Sequence, residues 1–567
     1  MRLKIKTEPR GPWDIFEIDR PMTIEKIIDR YIKERDYKPE YRYLVANVNN
    51  TARDLNRLIK EECSIEFLDM RSQAANLTYQ RSLSFIYLKA VEDVLGPVGV
   101  VIMASLNKGL FTEIDVSHEL TEEQVRAVSD RMQELIDQDI RITKEVVARE
   151  KVEKWLKREK MTEKMRLLNG QKNIERVMFY SMDGYKNFFY GTMVPSTGYI
   201  EKYQLLKYRS GALLRYPSQS SPDKLSPYIE QTMLYYAFGE AKRMNALMGV
   251  SYVEDLNDMI RNGEYKELIM LSEALHEKKI ADIADMITKQ HKRIILIAGP
   301  SSSGKTTFAR RLCVQLRVNG LRPLYMGTDD YFVDRDKTPI DKNGEPDYEG
   351  LDAIDIELFN NNMNDLLAGK LVDIPEFDFM TGQKKFGKRK ITIESNQPIV
   401  IEGIHGLNGK LTEQISDSEK FKIYVSPFTQ LAIDNNNRVP TSDARMLRRM
   451  VRDCKYRGHS PESTIDDWPK VREGEEQNIF SFIDESNVVF NSVHVYELAV
   501  LKKYAEPLLR GVERGKPEHL EADRMLRFLE FVETIEDDSM IINNSILREF
   551  IGGSIFTEVE LDRLTRA

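Results

Sequence analysis

The spacing of apolar and polar positions changes character along the chain. The opening "MRLKIK" alternates and predicts an edge strand. "TIEKIIDRYIKER" places its isoleucines on one face of an amphipathic helix, and "YRYLVANVNN" reads as a strand ending in a turn. Farther on, "LTEEQVRAVSDRMQELIDQ" predicts a helix. Thr121 and Gln124 stand at capping-box spacing, and Val125, Val128, Met132 and Leu135 line one face. Residues 220–290 are helical in pattern almost throughout, ending in "KKIADIADMITKQ". From 291 onward strands alternate with helices, which predicts an α/β unit with a parallel sheet. These changes divide the chain into a small α+β unit over 1–68, a second mixed α+β unit over 69–216, a helical connector over 217–290 and an α/β unit over 291–567.

Composition narrows the class. A chain of 567 residues has room for roughly three to five domains. A hydrophobic content of 41% with 31% charged residues fits a globular protein with ample core. The net charge of −8 argues against a generally basic nucleic-acid binder. Cys63, Cys313 and Cys454 match no metal or redox spacing, so a reduced, cytoplasmic setting is expected. The longest apolar run, around "PVGVVIMASL", is too short to span a bilayer, and no membrane partner is expected.

The chemistry concentrates after residue 293. Gly299-Pro300-Ser301-Ser302-Ser303-Gly304-Lys305-Thr306 fits G-x-x-x-x-G-K-[ST] in full, and Thr307 follows it. A strand pattern precedes the loop and a helical one follows. Successive backbone N–H groups and a helix N-terminus make an anion hole. Lys305 adds a charge for the β- and γ-phosphates, and the Thr306 hydroxyl is a Mg²⁺ ligand. No guanine-reading signature appears downstream, so ATP is the expected donor. "RPLYMGTDDYF" ends in Asp329 and Asp330 at the carboxyl end of a predicted strand, where ligands bind in such sheets. A carboxylate there can take a proton from an attacking hydroxyl; the plainer reading is a turn that favours Asp. "QPIVIEGIHGLN" carries Glu402 at its strand end, placed to reach the metal. In "TSDARMLRRMVRDCKYRGHS", Arg445, Arg448, Arg449 and Arg452 share one broad helical face. Beside a phosphate loop, this reads as a mobile lid that clamps the transferred phosphate. The basic run "KKFGKRK" reads instead as a solvated hairpin.

With these motifs in order, the stretch from about 291 to the C-terminus resembles the uridine kinase and phosphoribulokinase family. The carrying motifs are "GPSSSGKTT", "TDDYF", "IVIEGIHGL" and "DARMLRRMVRD". The resemblance implies that Asp329 is the general base, that Glu402 serves magnesium, and that Arg445 and Arg448 contact ribose and phosphate, with Arg449 beside them. Glu349 takes the place of an aspartate that binds ribose hydroxyls, while Tyr331, Phe332, Tyr348 and Phe377 surround the acceptor. Where uridine-cytidine kinases carry a tyrosine and a histidine that read the pyrimidine, this chain has Phe377 and Gly382. The aromatic platform remains and the hydrogen-bonding groups do not, so the identity of the base is open.

The N-terminal half resembles a different protein, the N-terminal region of threonyl-tRNA synthetase. Residues 1–68, including "IKEECSIEFLD", look like its ubiquitin-fold TGS domain. "SLNKGLFTEIDVSHELTEEQ", "ITKEVVARE" and "MVPSTGYIEKYQLL" look like its editing domain. The four editing positions fall on Arg81, Phe85, Phe189 and Met193, which supply neither a general base nor a hard metal ligand. These side chains are expected to fill the cleft, and a structural or regulatory role is preferred over RNA binding. The reading that follows is an ATP- and Mg²⁺-dependent nucleoside kinase with a small-molecule acceptor. The alternatives are a phosphoribulokinase-like sugar-phosphate kinase and an RNA-binding, ATP-switched regulator. The C-terminal "NNSILREFIGGSIF" is apolar enough for core or for a homo-oligomer interface.

Overall fold

The strand Ile294–Ala298 is apolar at every position and wholly buried, as expected for the centre of a parallel sheet covered on both faces. It pairs in parallel with Ile399–Glu402 on one side and Lys420–Ser426 on the other. Leu324–Gly327 and Val488–Asn491 complete a five-stranded, all-parallel sheet. The computed structural model describes the whole chain except residues 9–10, 172–173, 341–343, 345, 379, 430 and 557–567. One face of the sheet packs against the helix Lys305–Val318 and the arginine-rich helix Thr441–Tyr456, through Phe308, Leu312, Leu447 and Met450. The other face is covered by the helix Ile356–Leu367, through Phe359, Met363 and Leu366. "KKFGKRK" lies in the strand Gln383–Ile391, which forms a mostly exposed antiparallel hairpin with Val372–Asp378.

Residues 217–290 read as a connector, yet the structure makes their last helix part of the same core. Ile280, Ile283, Ala284 and Ile287 of Tyr265–Lys289 share one apolar cluster with Phe308, Leu312 and Leu316. Arg311 of the phosphate-loop helix donates to Glu277 at 2.5 Å across that contact. The C-terminal run is core as well. Ile546, Leu547, Phe550 and Ile551 are buried in the same cluster.

The N-terminal half is α+β. Arg2–Lys6 lies inside a five-stranded sheet rather than at its edge, because Asp14–Glu17 pairs along its outer side. The helix Ile24–Arg35 packs on that sheet through Ile24, Ile27 and Ile28. A four-stranded antiparallel sheet follows, ordered Gln204–Tyr208, Gly211–Arg215, Gly109–Ile114, Val100–Leu106. The helix Glu122–Asp137 opens with the capping box read in the sequence. The Thr121 N–H donates to Gln124 Oε1 at 3.0 Å, and the Gln124 N–H to Thr121 Oγ1 at 3.2 Å. One apolar cluster runs from Leu3 to Tyr216 and unites the two sheets.

The halves are joined by polar as well as apolar contacts. The Ile102 N–H donates to the Asn435 carbonyl at 2.8 Å, and the rings of Tyr190 and Phe531 lie 4.5 Å apart.

Candidate active site

The central strand ends at Ala298, and the chain turns through the phosphate loop into the helix beginning at Lys305. Two glycines make that turn possible. A Cβ on Gly299 would overlap the Val425 carbonyl of the adjacent strand, and Gly304 adopts φ +83° at the helix start, a conformation that costs a residue with a side chain. The loop gathers donors in one place. The hydroxyls of Ser302 and Ser303 are buried without a partner, and Lys305 Nζ donates to the Pro300 carbonyl at 3.1 Å.

Carboxylates of the chain itself meet several of these donors. The Ser301 N–H donates to Glu475 Oε1 at 3.0 Å. The Thr307 N–H and hydroxyl both donate to Glu549 Oε2, at 3.3 and 2.7 Å. Thr306 Oγ1 donates to Glu402 Oε1 at 2.9 Å, and the Tyr325 hydroxyl to Glu402 Oε2 at 2.7 Å. The anion-binding character of a helix N-terminus with free N–H groups is therefore already expressed. Burial lowers the pKa of Lys305, opposed by the surrounding charges of Glu402, Glu549, Asp329 and Glu475.

Asp329 sits in the short 3-10 turn Thr328–Tyr331, just past the strand Leu324–Gly327. Burial pushes its carboxyl up to about 6, the nearby charge of Glu402 adds to this, and Lys305 opposes it. A carboxylate poised in that range is suited to exchange a proton near neutrality. Glu349 is raised too, by burial first and then by Glu475, with Lys305 and Arg449 opposing. Lys305, Thr306, Asp329, Glu349 and Glu402, scattered in sequence, thus converge on one site.

The arginine helix departs from the expected mobile lid. Arg445 and Arg448 are only 1% and 0% exposed. Arg445 is ion-paired with Glu475. Arg448 forms a two-point pair with Glu497 and donates to the Ser302 carbonyl at 3.3 Å. Arg449 reaches the phosphate loop directly, donating to Ser301 Oγ at 3.0 Å. Arg452 turns to Asp453 at 2.8 Å instead. The helix is buttressed by Met446, Leu447, Met450 and Val451 in the core, and in this arrangement it braces the loop.

On the acceptor side, Phe332 and Phe377 meet edge to face at 5.7 Å. Tyr331 is turned away from the site. It is wholly buried against Phe359, and its hydroxyl accepts from Asn362 at 3.3 Å. Tyr348 is 42% exposed and forms no enclosed platform. Gly382 adopts φ +69°, with Arg335 Cβ 2.7 Å from where its own Cβ would lie.

Sequence reasoning missed Glu475, Glu549 and Tyr325, because none belongs to a contiguous motif. It also missed that two basic residues of the hairpin turn inward. Arg389 pairs with Asp330 at 2.7 Å and Lys384 pairs with Asp355. His405 of "EGIHGL" is buried beside the Glu349–Gly350 backbone, and burial pushes it down to about 4.

Among the described residues no group of three or more His, Cys, Asp or Glu is gathered to hold a metal unaided. Thr306 and Glu402, in mutual contact at 2.9 Å, suit Mg²⁺, which takes one or two side chains and completes its shell with water and substrate phosphates.

The profile of the Phosphoribulokinase / Uridine kinase family matches residues 294–499. A uridine kinase of Lactobacillus helveticus (strain DPC 4571) is 32% identical over 184 residues, 32% of this chain and 78% of that one. A uridine kinase of Staphylococcus haemolyticus (strain JCSC1435) is 32% identical over 178 residues, 31% of this chain and 76% of that one. Among solved structures, a "Possible Uridine Kinase" from Bacillus stearothermophilus matches 37% of this chain and 99% of its own, at 20% identity and a TM-score of 0.25.

Proposed function

The chain belongs to the phosphoribulokinase/uridine kinase family and is a phosphotransferase, and we propose that it transfers the γ-phosphoryl group of ATP to the 5′-hydroxyl of a nucleoside. The observation that supports this most is the placement of Asp329, buried beside Lys305 and Glu402 at the mouth of the phosphate loop. In this reading Asp329 takes the proton of the attacking 5′-hydroxyl. The nucleoside oxygen bonds to phosphorus as the bond to the ADP oxygen breaks. Thr306 and Glu402 would hold Mg²⁺, which would neutralise charge on the donor phosphates. Lys305 and the loop N–H groups orient those phosphates, Arg449 and Arg448 brace the loop, and Arg445 fixes Glu475 beside it. Glu349 binds the ribose hydroxyls, while Phe332 and Phe377 offer an apolar edge to the base.

Pairing on the acceptor side favours a nucleoside over a sugar phosphate. Arg389 and Lys384 are both engaged by carboxylates, so neither is uncommitted for a second phosphate. For the N-terminal half we retain the TGS-like and editing-like assignment, without editing chemistry and in a cytoplasmic setting. Phe85 and Met193 are buried in its core, where neither can act as base or ligand. Among the described residues no helix is long and apolar enough to cross a membrane. An ADP-release screen of full-length protein over a nucleoside panel, with and without tRNA, tests the proposal. Turnover with free nucleosides, unchanged by tRNA, is expected. Turnover only with a sugar phosphate, or none without tRNA, would sink it.

A further inference from the structure

Between the two halves lies a cavity of about 530 Å³, within the size range of small-molecule sites. The four side chains expected to fill the N-terminal cleft do so only in part. Phe85 and Met193 withdraw into the core, while Arg81 and Phe189 line the cavity. The kinase half supplies the opposite wall, including Arg438, Arg524 and Phe531.

The walls carry Arg53, Arg81, Lys144, Arg438, Arg524 and Arg527 against Asp54, Asp443, Glu521, Asp523 and Glu530, but the ion pairs are spread unevenly among them. Lys144 pairs with Asp54, Arg527 with Asp523, and Arg524 makes a two-point pair with Asp443 at 2.7 and 3.0 Å. Three guanidinium groups make no ion pair among the described residues, although Asp54, Asp443 and Asp523 lie near them. Arg81 donates only to the Thr192 carbonyl, at 3.1 Å, and Arg53 and Arg438 have no side-chain hydrogen bond or ion pair among the described residues. Arg81 feels the like charge of Arg524, and Arg53 that of Arg527 and Arg57, alongside the opposite charges of Asp54, Asp443 and Asp523. Burial lowers the pKa of Arg53, Arg81 and Arg438, Arg81 down to about 10, and the opposing pull of Asp54, Asp443 and Asp523 offsets this only in part. Arg53, Arg81 and Arg438 are half-buried; a partly desolvated cation without an ion pair is costly, and retaining three around one cavity makes sense when an anion completes the set. Guanidinium is the side chain best matched to phosphate. Beside it, Phe189, Tyr190 and Phe531 present aromatic surface, the complement of a planar base.

We propose that this cavity is a second nucleotide site, separate from the phosphate loop, in which Arg53, Arg81 and Arg438 hold the phosphates and the aromatic wall holds the base. The ligand is a nucleoside mono- to triphosphate, whose phosphates give the three guanidinium groups the direct partners that the surrounding carboxylates do not.

The test is calorimetric titration of the full-length chain in a Lys305→Ala background, which weakens the phosphate loop. ATP, GTP, CTP, UTP and their monophosphates serve as titrants, with pyrophosphate as the phosphate-only control. At least one nucleotide is expected to bind saturably at one per chain and more tightly than pyrophosphate. Adding Arg81→Gln or Arg438→Gln should weaken that binding tenfold or more. Without ligand, both variants should melt at or above the temperature of their parent, since each removes a partly desolvated charge that no ion pair holds. No saturable nucleotide binding, or binding equally tight in the Gln variants, overturns the site. So does a large fall in melting temperature without ligand, because it would make these arginines structural.

Discussion

Glu549 holds both the backbone N–H and the hydroxyl of Thr307, at 3.3 and 2.7 Å. A carboxylate from the far C-terminal end of the described chain therefore occupies donors at the N-terminus of the phosphate-loop helix. Such a contact stabilises the chain without nucleotide, by about 1 kcal/mol for a carboxylate at a helix start. It also opposes a triphosphate, which needs the same donors and carries the same sign of charge. Glu549→Gln should lower the melting temperature of nucleotide-free protein slightly and lower the KM for ATP several-fold. Steady-state kinetics at saturating nucleoside check this, and an unchanged or raised KM for ATP would remove the competition.

Asp329 gives two linked expectations. As the base, its replacement by Asn should lower kcat by about 10²–10⁴-fold, the usual span for general base catalysis, while ATP binding survives. The rate of the unmodified chain at low substrate should rise with pH through about 6, where Asp329 loses its proton. Stability moves the other way. The folded chain keeps the Asp329 proton up to about 6, above the ordinary value of 3.8, so it binds more protons than the unfolded chain in that window. The contribution of Asp329 is thus most favourable below the unfolded value and declines as pH rises through the folded one. Asp329→Asn should accordingly melt above the unmodified chain at pH 8, with the difference closing as the pH falls toward 4. Calorimetric scans across that range decide the point, and a lower melting temperature at pH 8 would contradict it.

The phosphate loop was legible because its chemistry is contiguous: eight successive residues, Gly299 to Thr306, encode a turn, a charge and a hydroxyl. Asp329 and Glu402 were legible because strand ends in a parallel sheet lie on one edge, so position along the pattern gives position in space. Glu475, Glu549 and Tyr325 were not, since their roles arise from packing of distant segments. The arginine helix shows the limit from the other side. Its charge pattern reads as a solvent-facing clamp, but Glu475 and Glu497 lie where they can neutralise Arg445 and Arg448, and that pairing offsets much of the cost of burying them. The tyrosine of "TDDYF" fails similarly, because alternation after a strand end does not say which face a turn residue takes.

Tyr331 tests that correction. Its ring packs on Phe359 and its hydroxyl accepts from Asn362 at 3.3 Å. Tyr331→Phe should leave the KM for nucleoside within about twofold and cost about 1 kcal/mol of stability, the worth of one buried hydrogen bond. A large rise in KM with unchanged stability would return Tyr331 to the acceptor site.

Gly382 bears on which base the site accepts. Uridine-cytidine kinases, which this region resembles, place a histidine at the corresponding point, so Gly382→His is the natural attempt to restore pyrimidine reading. The backbone here resists it. Gly382 sits at φ +69°, and a Cβ would stand 2.7 Å from Arg335 Cβ, so the substitution meets both left-handed strain of about 1–2 kcal/mol and a clash. The Arg335 N–H also donates to the Gly382 carbonyl at 2.8 Å, which ties the strained residue to the turn just past the Asp329 segment. Gly382→His should therefore lower the melting temperature by several degrees and lower turnover for every nucleoside alike. A nucleoside panel run with thermal scans separates the outcomes: a gain in preference for uridine or cytidine at unchanged stability would show that the position reads the base after all.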